Sequence, residues 1–181
     1  MKVVEKKKYT IEDYEKLPEG SPYQLIEGEL VVSPAPSPEH QRVSIRLSVM
    51  LFHHLKEKTK GEVLYAPVDV YLDEENAYQP DIVVVLEGSK AKITQRGIEG
   101  PPDIVVEILS PSTAYYDLRV KKDVYEKAGV KEYWIVDPYM KSIEIYSNTP
   151  EGFKLLSEAK RQGRVRSELL SIELDLKEVF E

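Results

Sequence analysis

Apolar residues recur along this chain at two spacings, one typical of helices and one typical of strands. Over residues 38–58 they fall three or four positions apart, which predicts a helix with one apolar face. Shorter apolar runs follow, and each predicts a strand: residues 63–72, 80–86 and 104–109. A second helix is predicted at 117–128, ending before Gly129, and a further strand at 133–136. The central part of the chain therefore runs helix, three strands, helix, strand.

Weaker patterns flank this central part. Thr10 is a suitable N-cap for a short helix over 10–17, and residues 23–32 predict a hairpin that turns near Glu27 and Gly28. Beyond Pro138 a second hairpin is predicted at 143–146 and 153–156. Residues 87–100 are charged and contain glycine, so they are predicted to form a loop.

These elements predict one α/β domain over residues 1–181, in which helices flank a mixed sheet. The core spans about 39–138, the N-terminal helix and hairpin 10–32, and the C-terminal hairpin and tail 139–181.

Three charged residues interrupt the apolar pattern of the core. Asp81 opens one predicted strand, and Glu107 lies in the middle of another. A buried carboxylate is costly unless a cation or hydrogen-bond donors accompany it. At about 100° per residue, Lys121 falls within the apolar arc that Leu118, Val124, Tyr125 and Ala128 define on the second helix, while Lys122 lies towards its edge. Lys121 is therefore expected to point inwards.

Two carboxylates and a lysine suit a divalent-metal site that cleaves phosphodiesters. Oxygen ligands from Asp81 and Glu107, with the backbone carbonyl of Ile108, would bind Mg²⁺ or Mn²⁺ and leave positions for water and phosphate. Lys121 would orient the attacking water or stabilise charge in the transition state. The alternative is a structural salt bridge, in which Lys121 only neutralises Glu107.

Composition narrows the functional classes. The net charge of −7 argues against a non-specific nucleic-acid coat protein, although it leaves room for a nuclease with a bound metal. The chain has no cysteine, which excludes disulfides, zinc–thiolate sites and cysteine nucleophiles. Residues 1–8 are charged and no apolar run approaches a membrane span, so we expect no signal peptide, no membrane insertion and a cytoplasmic location. Twelve tyrosines are a high count, to which the sequence assigns no function.

Several blocks of the chain occur together in one known family. These blocks are residues 23–30, 37–41, 79–81 and 105–113, then Asp117 with Lys121 and Tyr125, and finally residues 129–138. Through these blocks the chain resembles the Uma-two family, which is placed in the PD-(D/E)xK restriction-endonuclease-like superfamily. The resemblance implies an αβββαβ core and a nuclease activity.

The resemblance also assigns roles, with two departures. Asp81 matches the first acid and Glu107 the second, but Leu109 stands where the superfamily usually has lysine, and Lys121 on the following helix matches a displaced lysine. Gln24 stands where the family often has glutamate. Glu27 or Glu29 would then be the acid that assists the metal, and Glu27 is included among the candidate catalytic residues.

Three further residues have two interpretations each. His40 would contact a phosphate or substrate, or would only stabilise the start of its helix. Asp69 would support the site or face solvent on an alternating strand. Asp117 would cap the second helix, with pairing to Lys121 or the metal as the alternative.

The sequence thus favours a Mg²⁺- or Mn²⁺-dependent nuclease acting on nucleic acid, with DNA the expected substrate. Its catalytic candidates are Asp81, Glu107, Lys121, Glu27 and His40, and a homodimer is expected. The alternative is a catalytically silent binding or assembly module that keeps the nuclease fold.

Overall fold

The computed structural model describes residues 8–181, so the expectation of no signal peptide falls almost wholly on residues outside the described part. Four α-helices are present in this part: α1 (Ile11–Tyr14), α2 (Pro38–Lys58), α3 (Lys121–Ala128) and α4 (Leu176–Phe180). The first strands are β1 (Tyr23–Ile26), β2 (Glu29–Val32), β3 (Gly61–Tyr65), β4 (Val70–Asp73), β5 (Asn76–Tyr78), β6 (Ile82–Leu86) and β7 (Lys92–Thr94). The remaining strands are β8 (Gly97–Glu99), β9 (Ile104–Ile108), β10 (Glu132–Asp137), β11 (Ser142–Thr149), β12 (Gly152–Lys160), β13 (Arg164–Ser167) and β14 (Ile172–Asp175).

A six-stranded mixed sheet forms the centre, in the order β12-β11-β10-β9-β6-β3. Strands β9 and β10 are parallel, and the other neighbours are antiparallel. Alternate residues of β6 and β9 pack against α2 on one face and against α3 on the other, which explains why both strands are apolar except at Glu107. The predicted α/β fold is confirmed, and its core follows the predicted order α2, β3, β6, β9, α3, β10.

A second six-stranded sheet lies beside the first, in the order β2-β1-β5-β4-β8-β7. The single strand predicted at 63–72 is wrong, because β3 ends at Tyr65 and β4 begins at Val70. Pro67 lies between them and has no N–H to continue a ladder. The loop predicted at 87–100 is also wrong, because it contains the hairpin β7–β8. All three residues of β7 are exposed, so the hairpin carries no alternating apolar signal.

The second predicted helix begins later in the structure than the sequence pattern predicts. Residues Tyr116–Val120 form a π-helical turn, and the regular α-helix begins only at Lys121. A π-turn contains more residues than an α-turn, so it rotates the residues before Lys121 relative to those after it. Leu118, predicted to be on the buried arc, is 41% exposed, whereas Lys121 is buried and Lys122 half-buried, as predicted.

The C-terminal part closes over α2. The predicted hairpin is confirmed as β11 and β12, and it is followed by the hairpin β13–β14 and by α4. Leu176, Val179 and Phe180 of α4 are buried in the same cluster as the apolar face of α2. Among the helices of residues 8–181, none has the length and hydropathy that a membrane crossing requires.

Candidate active site

Asp81 joins three elements at one edge of the central sheet. Its Oδ2 atom accepts a hydrogen bond of 2.7 Å from the backbone N–H of Ile108, at the end of β9. Its Oδ1 atom lies 3.1 Å from Nε2 of His40, in the first turn of α2. Pro80, which precedes it, has no N–H for a ladder, and β6 begins directly after Asp81. The carboxylate is therefore fixed where β6, β9 and α2 meet.

Glu107 points to the opposite face of β9 from Val106, towards α3. Its Oε1 atom accepts a hydrogen bond of 3.1 Å from Nζ of Lys121 and one of 2.9 Å from the hydroxyl of Tyr125. Both Glu107 and Lys121 are only 2% exposed. No residue between 8 and 181 donates a hydrogen bond to Oε2 of Glu107, and the residue lines a large cleft.

Asp117 is the third carboxylate of the site. Its Oδ1 atom lies 2.9 Å from Nζ of Lys121, one helical turn later, and its backbone carbonyl accepts a hydrogen bond from Tyr133. The interpretation of Asp117 as a helix cap is wrong, because the residue is 1% exposed and lies inside a helical segment. The π-turn explains the difference, since it rotates Asp117 into the core. Sequence spacing offered a signal: Asp117, Lys121 and Tyr125 are each four residues apart.

The charges of this cluster do not balance. Burial raises the pKa of Glu107 to about 8, and the nearby charges of Asp117 and Asp81 add to the rise, while Lys121 and Tyr125 oppose it. Burial alone would lower the pKa of Lys121, but the carboxylates of Glu107 and Asp117 outweigh it and raise that pKa. The cluster thus holds a permanent cation and more negative charge than this cation neutralises.

His40 belongs to the same cluster. Burial favours its neutral form, but the hydrogen bond and charge of Asp81, with the backbone of Ile108, outweigh this and raise the pKa of the imidazole. Its Nδ1 atom is buried and has no hydrogen-bond partner within residues 8–181. Its backbone N–H also donates to Ser37, the N-cap of α2. His40 therefore lies at the helix start, as one interpretation has it, and contacts Asp81, while its contact with a phosphate or substrate stays a prediction.

A cleft of about 1500 Å³ opens onto this cluster. Asp81, Glu107, Asp117 and Lys121 lie along it, between the central sheet on one side and α1, β1 and the β7–β8 hairpin on the other. Substrates of considerable size can enter it.

Two polar residues support the cleft wall. Asp69 precedes β4 and does not face solvent on a strand; it accepts hydrogen bonds of 2.9 Å from Tyr14 and from Gln79. Gln24 accepts a hydrogen bond of 2.8 Å from the backbone N–H of Gln79 and donates one of 2.6 Å to Ser33. These contacts fix the segment that leads into Asp81.

Glu27 is not part of the site. It occupies the turn of the β1–β2 hairpin with a φ of 49°, is exposed, and does not line the cleft. The prediction that it is catalytic is wrong, because the cleft lies beside Gln24 at the other end of β1.

The donor set fits a hard divalent cation. No three His, Asp or Glu side chains within residues 8–181 converge closely enough to hold a metal alone. Asp81 and Glu107 with the carbonyl of Ile108 would instead leave several positions to water, as Mg²⁺ commonly requires. The raised pKa of Glu107 is consistent with this, because an added cation would favour its ionised form.

The fold and its acidic cleft define a restriction-endonuclease-like α/β protein. A solved structure from Anabaena variabilis, described as a "putative nuclease belonging to DUF820", has a TM-score of 0.78 and 20% sequence identity. It matches 94% of this chain and 97% of its own length. At this identity the likeness concerns the fold alone.

The family assignment rests on the sequence. Residues 11–177 match the Uma2 family, described as "Putative restriction endonuclease", and the chain belongs to this family. Two uncharacterized Synechocystis proteins are similar. One, sll1609, is 26% identical over 137 residues, which cover 75% of this chain and 77% of the length of sll1609. The other, slr1290, is 28% identical over 154 residues, which cover 84% of this chain and 78% of the length of slr1290.

Proposed function

We propose that this protein is a Mg²⁺- or Mn²⁺-dependent nuclease that hydrolyses phosphodiester bonds of nucleic acid in the cleft. The observation that carries the proposal is the convergence of Asp81 and Glu107 beside Lys121, where Oε2 of Glu107 receives no hydrogen bond from residues 8–181 and excess negative charge surrounds it. Family membership supports the same reaction class.

Asp81, Glu107 and the carbonyl of Ile108 would hold the ion. A bound Mg²⁺ or Mn²⁺ supplies Lewis acidity towards a phosphoryl oxygen and lowers the pKa of a bound water. Lys121 opposes the rise that burial causes in the pKa of Glu107, and it places a positive charge near the oxygens on which negative charge would develop. His40 holds Oδ1 of Asp81 and so fixes the orientation of that carboxylate.

A catalytically silent binding module is the second candidate. One observation favours it: Nζ of Lys121 already has two carboxylate partners, at 2.9 and 3.1 Å, as in a purely structural cluster. The choice between Mg²⁺ and Mn²⁺, the preference for DNA and the homodimer remain predictions.

The test compares wild type, Asp81→Asn and Glu19→Gln on single-stranded and duplex DNA and on RNA. The Asp81→Asn substitution keeps an oxygen for the N–H of Ile108 but removes the charge, so cleavage should fall by about 10³-fold. Glu19 is an exposed acid that lines the same cleft, and its neutralisation should change the rate less than twofold. Equal metal-dependent cleavage by wild type and Asp81→Asn would refute the site, and no cleavage by wild type would favour the silent module.

A further inference from the structure

The cleft is poorly equipped to attract phosphates through charge. Six carboxylates line it: Glu15, Glu19, Asp69, Asp81, Glu107 and Asp117. Among its lining residues within the described part of the chain, the only lysine and arginine are Lys121 and Arg96. Lys121 is buried and bound to two carboxylates, and Arg96 is paired with Glu15 and Glu99. Because duplex binding depends mostly on phosphate neutralisation, this cleft needs another source of affinity.

Two exposed tyrosines lie on the same cleft. Tyr65 is 64% exposed and Tyr139 is 67% exposed, and both line it. Within residues 8–181, neither ring packs on another aromatic ring and neither hydroxyl has a hydrogen-bond partner. These contrast with Tyr78, Tyr125 and Tyr133, which are fully buried. Large rings left open at a cleft are available for a ligand.

The topology places the candidate site between these two rings. Tyr65 is the last residue of β3, and Tyr139 follows the end of β10. In the sheet order β10-β9-β6-β3, the strand that follows Asp81 and the strand that carries Glu107 lie between them. Three strand spacings separate β10 from β3, which is about 14 Å. An extended strand of nucleic acid that contacted both tyrosines would pass over the two acids.

We infer that the cleft binds unpaired nucleotides, whose bases stack on Tyr65 and Tyr139, so that single-stranded nucleic acid is its preferred substrate. This inference rests on the proposed function and specifies its substrate class. Stacking on a tyrosine ring needs no positive charge and is available only to bases that are not enclosed in a duplex. It therefore suits an acidic cleft whose lining cations Lys121 and Arg96 are already paired with carboxylates.

Binding is measured by fluorescence anisotropy in Ca²⁺, which occupies oxygen sites with looser geometry, and cleavage is measured in parallel in Mg²⁺ and Mn²⁺. The probes are a labelled oligothymidine strand, an abasic strand with the same number of phosphates, and a duplex of the same length. The variants are Tyr65→Ala, Tyr139→Ala and the two matching Phe substitutions. Tyr115→Ala is the matched control, because Tyr115 is 69% exposed and does not line the cleft.

Wild type should bind the oligothymidine strand at least tenfold more tightly than the abasic strand or the duplex. Each Ala substitution should weaken binding of the strand with bases about 5- to 100-fold and leave the abasic strand unchanged. The Phe variants and Tyr115→Ala should stay within twofold of wild type. The comparison of abasic with normal strand needs no variant, so it holds even if a substitution disturbs folding.

Equal affinity for the abasic and normal strands, or preferential cleavage of duplex, would overturn the stacking inference while the proposed nuclease function stood. Tyrosine-dependent binding of single strands without any metal-dependent cleavage would support the inference and refute the nuclease function. Absence of both binding and cleavage would refute both.

Discussion

Glu107 and Glu132 lie on the neighbouring parallel strands β9 and β10, and each is 2% exposed, yet their surroundings differ. Glu132 accepts hydrogen bonds from Trp134, Ser167 and the backbone N–H of Leu169, all between 2.8 and 2.9 Å. All three donors are neutral, and they involve both carboxylate oxygens. In the described part of the chain, Glu107 has donors on one oxygen only, and it shares its environment with two further carboxylates.

The difference separates a structural acid from a candidate catalytic one. Glu132 attaches the segment after β13 to the central sheet, and it does not line the cleft. Glu107 lines the cleft and retains an oxygen that a ligand can use. Burial of a carboxylate is therefore a weak sign of function by itself. Incomplete hydrogen bonding, unbalanced charge and access to a cleft together are a stronger sign.

The largest expected effect is on catalysis. Glu107→Gln should lower metal-dependent cleavage by about 10³-fold, because it removes a charge that the proposed site needs at the reaction centre. Glu132→Gln should leave the rate within about threefold, since Glu132 is remote from the cleft. Single-turnover rates on one labelled strand measure both. A comparable loss of cleavage in both variants would show that the different surroundings of Glu107 and Glu132 do not distinguish a catalytic acid from a structural one.

The second effect is on stability, and here the substitution of Glu132 should cost more than the substitution of Glu107. Glu132→Ala leaves three donors without this acceptor, two of them in buried hydrogen bonds, and should lower the free energy of unfolding by about 3–5 kcal/mol. Glu107→Gln should change it by no more than about 1 kcal/mol near pH 7, because Lys121 keeps Asp117 as a partner. Urea unfolding of the two variants gives both values. A larger loss in Glu107→Gln would identify the Lys121 cluster as mainly structural.

Much of the fold could be predicted, because the core strands carry long apolar runs. The missed elements are those without such a signal: β7 is exposed along its length, and Pro67 interrupts a continuous-looking run. The π-turn before Lys121 was also missed, since a 3.6-residue period is assumed when residues are placed around a helix.

The candidate site was predicted in part. The prediction that Asp81 and Lys121 lie beside Glu107 agrees with the structure, because Asp81 opens an apolar strand and Lys121 falls within an apolar arc of its helix. The burial of Asp117 in the cluster and the position of Glu27 outside the cleft were not predicted, because both depend on how a turn orients its side chains. Such orientation is set by tertiary contacts, for example the N–H of Glu27 bound to Asn76, and not by local spacing.

The third effect is a pH dependence of stability that Glu107 should produce. Its pKa is 4.5 when unfolded and about 8 when folded, so the folded state retains the proton over this interval. The contribution of Glu107 to stability is therefore fully present below pH 4.5 and is lost as pH rises towards 8. The steepest slope is about 1.4 kcal/mol per pH unit.

Subtracting the unfolding free energies of Glu107→Gln from those of wild type isolates this term across pH 4.5 to 8. Without added metal, the difference should fall with rising pH. A difference that is flat or increases with pH would mean that Lys121 keeps Glu107 ionised in the folded protein, and the excess negative charge inferred for the cluster would be wrong.

The smallest effect is expected when one hydroxyl donor is removed from each of the two glutamates. Tyr125→Phe removes the hydrogen bond to Oε1 of Glu107, and Ser167→Ala removes one to Oε2 of Glu132. Each should cost about 1–2 kcal/mol of stability, because both hydroxyls are buried. Only Tyr125→Phe should slow cleavage, by about three- to tenfold, since the lost bond favours the ionised form of Glu107. For the same reason, it should extend the pH-dependent loss of stability to higher pH. Equal effects of both substitutions on cleavage would indicate that overall stability, and not the charge state of Glu107, controls the rate.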